Sequence, residues 1–551
     1  MKFIYSLILA LFCVNLCHSQ INSTLNVNRI SIPLDKAGGI PRVSPGGLYD
    51  SVYFLFSGGF AFSGKENGTL FVNGQMPSMR DIDYLPGRAG DTLNPKNILY
   101  SVSTSDSAFG SSWLKWKDAV ELGADYYDGN NDGIYNPVDL NGNGIWDPNE
   151  DKPLIMGDKT FWCVYNDGVK SSQRVYSDMA PKGVEIRQTT FAYNNANNCA
   201  DNAFFIKYNI KNTSDNNWDS CYFSNFSDVD LGASQTSELV GTNIGLKSVY
   251  AYREESIAPT CFITSLQSPV QYIPGVTFTD INGNGIYDAG IDTPLDTASN
   301  YNGINGIQSI VGAVNINDFN TLLFMGADPD LGDPSTSAQL RYFQLSKLNR
   351  GQNINPCDFR IGTVNGGADC NTIDPRYIFS GDPVSNYGWL EVHNYDSRQL
   401  LNIGPFSLKA HESNNIIFAY VLGIGNTWQM SLLTAKDNTR LIREVFNNNF
   451  TNFYTGVNSN KITVNNYKLE QNFPNPFNPV TTINYQLPKS GEVTIRVYDI
   501  LGNEVKTLVN ENKQAGSYSV NFNASKLSSG VYIYRLTSSG ICISQKMLLL
   551  K

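Results

Sequence analysis

Histidine is almost missing from this chain, with three in 551 residues: His18, His393 and His411. That scarcity removes most chemistry built on imidazole. No HExxH occurs, HESNN at His411 lacks the second histidine of a zinc protease, and no G-x-S-x-G elbow accompanies either later histidine. Each of these two reads as a structural or exposed residue. P-loop and dinucleotide glycine fingerprints are missing as well. Cys-x-x-Cys pairs do not occur, which excludes the commonest zinc framework. Charged residues are sparse at 16%, with a net charge of −10. The tail from Tyr467 holds nine Lys/Arg against five Asp/Glu, and Lys2 adds one positive charge, so residues 20–466 carry a net −15. A surface of that sign disfavours a nucleic-acid groove and attracts divalent cations.

The first 19 residues have the pattern of a signal peptide: Lys2, the apolar run Phe3–Leu16, then Cys17-His18-Ser19 before a cleavage point at Gln20. A lipoprotein reading through Cys17 is disfavoured because Leu16 stands where a small residue is expected. After that run no stretch of 18 apolar residues follows, so no membrane-spanning helix is expected. Loss of Cys13 and Cys17 leaves seven cysteines, at 163, 199, 221, 261, 357, 370 and 542. In an oxidising compartment these are disulfide candidates. Cys357 and Cys370 flank a glycine-rich loop and form the expected pair, with Cys542 as the thiol left over.

What the chain has in quantity is glycine and aromatics: 47 Gly, 30 Tyr and 29 Phe. Short runs of alternating apolar and polar residues between Gly, Pro and Asn turns point to a mainly β protein with room for two to four domains. Residues 20–446 read as one large β-sandwich-like cargo domain. Within it, Val184/Ile186 alternate with Glu185/Arg187, and Phe204/Ile206/Tyr208 with Phe205/Lys207/Asn209. Helical spacing places Trp113, Trp116 and Val120 on one stripe of Ser111–Leu122, and Leu432, Ala435, Thr439, Ile442 and Phe446 on another that docks on a sheet. The acidic turns Asp228/Asp230 and Asp328/Asp330 read as ordinary solvated turns. An Asn-rich linker over 447–466 follows the cargo.

Two stretches carry metal-ligand spacing. In Asp125–Leu154, a first loop sets Asp128, Asn130 and Asp132 at positions 1, 3 and 5, Gly133 at 6, Asn136 at 9 and Asp139 at 12. A second begins at the same Asp139 and continues with Asn141, Asn143, Gly144, Asp147 and Glu150, with Asp151 one place further. A third copy repeats Asp280, Asn282, Asn284, Gly285 and Asp288; Ile291 holds position 12 and Asp292 is the alternative closing carboxylate. Alternate oxygen-bearing side chains converge on one point, the glycine permits the sharp turn, and a late carboxylate completes a six- to eight-oxygen shell, so the expected cofactor is Ca2+. Proline after each copy and strand-like flanks rule out helix–loop–helix. The loops resemble the isolated calcium loops of thrombospondin type 3 repeats.

The tail, 467–551, opens with Asn472–Pro479 (NFPNPFNP). It continues through Val493/Ile495/Val497, the turn beginning at Asp499, Leu527–Tyr532 (LSSGVY) and a basic terminal strand. It resembles the type A C-terminal sorting domain of the type IX secretion system. The resemblance implies an Ig-like β-sandwich, export to the outer face of the outer membrane or beyond, and two partners: the translocon and a sortase-like processing machinery. Several cargo segments, among them Phe161–Gly168 (FWCVYNDG), Gly183–Asn194 and Gly404–Gly425, resemble a family of secreted bacterial proteins with the same tail. That likeness implies location and fold and brings no activity with it. Glu121, Glu185, Glu238, Glu254 and Glu255 are available for a carboxylate mechanism, and no pair stands out. The expected function is therefore a calcium-stabilised, non-enzymatic surface protein, adhesive or structural. The alternative is a polysaccharide-binding or carboxylate-dependent polysaccharide-degrading protein, for which an aromatic-lined cleft around two carboxylates would be the mark.

Overall fold

Long apolar strands paired antiparallel build the first of two units, Met1–Tyr454, and a second set builds Thr455–Lys551. The computed structural model describes residues 23–550 apart from 42–45, 80, 195–197, 233–237, 255–257, 305, 327, 393–395, 452–466, 470, 473–474, 501, 515 and 539–540. The expected signal peptide, His393, Glu255 and most of the Asn-rich linker fall outside the described residues.

Two large sheets dominate the first unit. The wider runs from edge to edge as Leu239–Asn243, Ser248–Tyr252, Thr260–Gln267, Ser413–Gly423, Ala203–Asn212, Val184–Ala192 and Lys159–Asn166. Leu85–Pro86 and Tyr100–Ser103 share the far side of the last strand. The second sheet orders Phe319–Phe324, Arg398–Leu408, Trp218–Asp228, Ser57–Glu66, Thr69–Met76 and Asp81–Ile82. Phe204, Ile206, Tyr208, Phe418 and Tyr420 of the first meet Phe60, Phe62, Phe223, Leu401 and Ile403 of the second in one core. Side chains of opposite parity on each strand point to the far faces, and these are covered too.

Helix α1, Ser111–Glu121, buries Trp113 and Trp116. Helix α2, Ser337–Gln344, buries Leu340 and Phe343 in a core with Phe226, Leu322 and Leu400 on the outer face of the six-stranded sheet. Helix α3, Trp428–Asn447, packs Leu432, Ala435, Ile442 and Phe446 on Phe191, Phe205, Ile417 and Val421 of the wider sheet. This first unit is thus layered as helix, sheet, sheet, helix with loops, and each fully buried Phe or Leu contributes about 1.5–3 kcal/mol. This double cover explains why even polar positions read as alternating are buried: Lys207 reaches Asp125 at 3.3 Å, and Glu185 holds Arg187 at 3.1 Å.

The second unit has a three-stranded sheet (Lys468–Leu469, Val480–Leu487, Gly516–Asn523) and a four-stranded one (Glu504–Lys513, Gly491–Tyr498, Gly530–Ser538, Ile541–Leu549). Val493, Ile495, Val497, Tyr534 and Leu536 share one core with Ile483, Tyr485 and Phe522. The alternation legible in the sequence is the inside–outside alternation of the strands.

Candidate functional site

Three loops of the first unit share one hydrogen-bond scheme. At position 1, Asp128 accepts from the backbone N–H of Asp132 (3.2 Å) and Gly133 (2.9 Å). Asp139 accepts from Gly142 (2.7 Å), Asn143 (3.2 Å) and Gly144 (2.7 Å). Asp280 accepts from Gly283 (2.8 Å), Asn284 (3.2 Å) and Gly285 (2.8 Å). The position 3 carbonyls of Asn130, Asn141 and Asn282 take the N–H of position 5, and Asp132, Asn143 and Asn284 take that of position 7. Local Asx bonding of this kind folds a short chain tightly. Gly133, Gly144 and Gly285 sit at φ 75°, 73° and 74°, the left-handed region that favours glycine. A Cβ at any of the three would meet nothing within 4 Å, so the requirement is conformational and not one of space.

The carboxylate that bridges the turn differs from the one spacing placed at position 12 in the first loop only. In the second loop Glu150 bridges the N–H groups of Leu140 (2.7 Å) and Asp147 (2.9 Å), positions 2 and 9. In the third, Asp292 does the same for Ile281 (2.9 Å) and Asp288 (2.7 Å), while Ile291 is exposed. In the first loop the bridge belongs to Asp151, which takes Gly129 (3.0 Å) and Asn136 (2.8 Å). Asp139, at position 12 of that loop, turns its oxygens into the second loop. The physical reason is that both Asp139 oxygens are engaged by its own following turn. Asp147 and Asp288 accept from paired amides, Asn141 with Asn143 and Asn282 with Asn284. The Gly144 N–H, with those of Gly142 and Asn143, holds the Asp139 carboxyl below the usual range; the Asn282 and Asn284 amides do so for Asp288.

Each loop region is closed at its base by a two-residue ladder. Tyr126–Tyr127 pairs with Lys152–Pro153, and Phe278–Thr279 with Thr293–Pro294. Position 8 is aromatic in all three. Tyr135 donates to the Trp113 carbonyl at 3.0 Å, Trp146 lies under the Lys152 ammonium at 3.6 Å, and Tyr287 packs on Phe278.

A second group of carboxylates corrects the expectation of solvated turns. Asp228 and Asp230 are 2% and 5% exposed, and with Asp396 they bring oxygens within 4.8 Å of one another. Asp228 ends an inner strand, and Arg398 reaches Asp228 (3.2 Å), Asp333 (3.1 Å) and Asp396 (3.0 Å). Burial pushes Asp228 up to about 6 against the pull of Arg398. Burial, then the charges of Asp228, Glu238 and Asp396, push Asp230 up to about 8. Asp328 is held by Arg360 and by the N–H groups of Asp330 and Leu331.

Sequence reasoning missed a cavity of about 410 Å³ lined by Tyr252, Trp428, Glu254, Glu391, Asn365 and Asn386. Tyr252 and Trp428 stack at 5.5 Å and 28°. Glu391 ends the strand Gly388–Glu391 and is 5% exposed. One oxygen accepts the outward N–H of Val240 on the edge strand at 2.5 Å; the other has no hydrogen-bond partner among the described residues. Leaving such an oxygen unsatisfied costs about 1–3 kcal/mol. Burial, with the Glu238 charge adding to it, raises Glu391 well above the carboxylate range. A glutamate beside Trp389 on a buried strand carries no local signature, which is why the sequence did not single it out.

His411 is exposed, with Nε2 3.1 Å from Asp215. Cys357 and Cys370 form the disulfide, the only one among the described residues. Cys163, Cys199, Cys221 and Cys261 are buried outside it, and Cys542 is exposed. The expectation of one leftover thiol is therefore too small.

No curated protein matches the sequence. Among solved structures, a polysaccharide lyase is 8% identical at a TM-score of 0.19, covering 66% of this chain and 34% of its own. Dimeric latent PorU from Porphyromonas gingivalis is 10% identical at 0.14, covering 71% of this chain and 31% of its own. The chain spans about a third of the length of each, and such a likeness carries no assignment. Residues 471–550 match the family of secretion system C-terminal sorting domains. The tail is thus a type IX secretion sorting domain, and the protein that bears it is secreted or attached to the outer-membrane surface.

Proposed function

We propose that this is a non-enzymatic surface protein, adhesive or structural, whose cargo unit is stabilised by Ca2+ held in three loops. The observation that carries the reading is the repeated hydrogen-bond scheme. In each loop backbone N–H groups fix carboxylates (Asp128, Asp132 and Asp151; Asp139 and Glu150; Asp280 and Asp292), and paired Asn amides fix Asp147 and Asp288. Asn130, Asn136, Asn141, Asn143, Asn282 and Asn284 add neutral oxygens. Hard oxygen ligands in this number suit Ca2+, and extracellular modules of modest ligand charge bind it at about 10⁻⁴ to 10⁻³ M. The type IX translocon exports the chain, and a sortase-like machinery removes the tail. Thermal melting in EDTA against millimolar calcium tests the calcium reading, and a melting temperature indifferent to chelation overturns it.

A second reading, a polysaccharide-directed protein, is favoured by one observation: the cavity that sets Tyr252 and Trp428 beside Glu254 and Glu391. Binding of soluble oligosaccharides by the full chain tests it.

A further inference from the structure

We infer that the cavity beside Trp428 is a binding site for a neutral pyranose unit of a glycan, which stacks on the aromatic wall and meets the open oxygen of Glu391. The inference rests on the polysaccharide reading and goes beyond it by naming the site and the ligand class.

One wall is aromatic. Trp428, the first residue of α3, lies nearly parallel to Tyr252, which continues towards Tyr250 at 6.0 Å. The C–H face of a pyranose is the complement of such a surface, while its rim of hydroxyls needs donors and acceptors. The cavity supplies both. Glu254 offers carboxylate oxygens, and Asn365 donates to the Asn386 carbonyl at 2.7 Å at the same lining. Glu391 presents a buried oxygen with no hydrogen-bond partner among the described residues. A ligand hydroxyl is what would complete it.

Charge decides between ligand classes. Among the described residues no Lys, Arg or His lines it, whereas Glu254 does and Asp382 acts on the Tyr252 hydroxyl. Phosphates and uronic acids therefore find no counter-charge there. A quaternary amine would suit the rings, but burial raises Glu391 well above the carboxylate range and so favours its neutral form, a donor and not a counter-charge.

The test is calorimetric titration of the full chain with cellotriose, xylotriose, mannotriose and maltotriose, and with trigalacturonate and choline as controls. At least one neutral trisaccharide is expected to bind. Glu391→Gln, which keeps a donor, should bind within about threefold of wild type, whereas Glu391→Leu should lose at least about tenfold, or 1.4 kcal/mol. Should Glu391→Leu fail to fold, Glu254→Gln combined with Asn386→Ala, both at the cavity mouth, should give the same loss. Wild-type binding that the variants leave untouched overturns the site while the polysaccharide reading stands. Binding of no neutral trisaccharide, or of trigalacturonate or choline in their place, overturns both.

Discussion

Asp151 accepts the backbone N–H of Asn136 at 2.8 Å, fifteen residues upstream, and so closes the first loop from beyond the end of the second. The two overlapping loops are therefore interleaved, not chained through Asp139. Asp151→Ala is expected to abolish the calcium response of the first loop and Asp139→Ala that of the second, with Asp292→Ala acting on the third. At free calcium ten times the dissociation constant each lost site removes about 1.4 kcal/mol of stabilisation. Melting temperatures of the three variants, with and without EDTA, check this.

Stability should fall as pH rises from about 4 to about 8. Asp228 and Asp230 have folded values raised to about 6 and about 8, against about 3.9 unfolded. Between these limits the folded state binds more protons than the unfolded one, so its advantage is greatest towards pH 4 and declines as each group ionises. Asp230→Asn should flatten the decline between pH 6 and 8 in a melting series. An unchanged slope in that variant counts against the assignment.

The Cys357–Cys370 disulfide closes a loop of sequence separation 13. Chain entropy gives a cross-link of that length a stabilisation of about 3 kcal/mol. Cys357→Ser with Cys370→Ser is expected to lower the denaturant midpoint of the cargo unit, whereas Cys542→Ser should leave it unchanged.

Deleting 467–551 should leave the cargo folded and strand it in the periplasm, as read by cell fractionation. The cargo core draws all its members from the first unit, and the tail core all of its own from the second. Surface display of the truncated protein would contradict the sorting role.

Much of this was legible in the chain. Val493, Ile495 and Val497 alternate because one face of the tail sheet is wet, and the α3 stripe at Leu432, Ala435 and Ile442 follows the helical period. The loops were legible because the side chains that fold them are local. What escaped notice was whatever depended on distant pairing. Asp228 looks like a turn residue until Arg398, 170 positions later, covers it. Glu391 has meaning only beside Val240, 151 positions earlier. The closing role of Asp151 was hidden because two loops of identical spacing share one segment, and spacing alone cannot say which carboxylate serves which.

The ladders at Tyr126–Tyr127 with Lys152–Pro153 and at Phe278–Thr279 with Thr293–Pro294 convert each loop region into a ring of fixed circumference. The entropy of joining the ends, which grows only as the logarithm of ring size, is met when the neck forms. Events inside the ring are then insulated from the sandwich: a residue gained or exchanged there changes the ring and leaves the register of the large sheets alone. The necks are thus the points at which this fold can absorb a change in loop sequence, and three copies of one loop design sit behind two such necks.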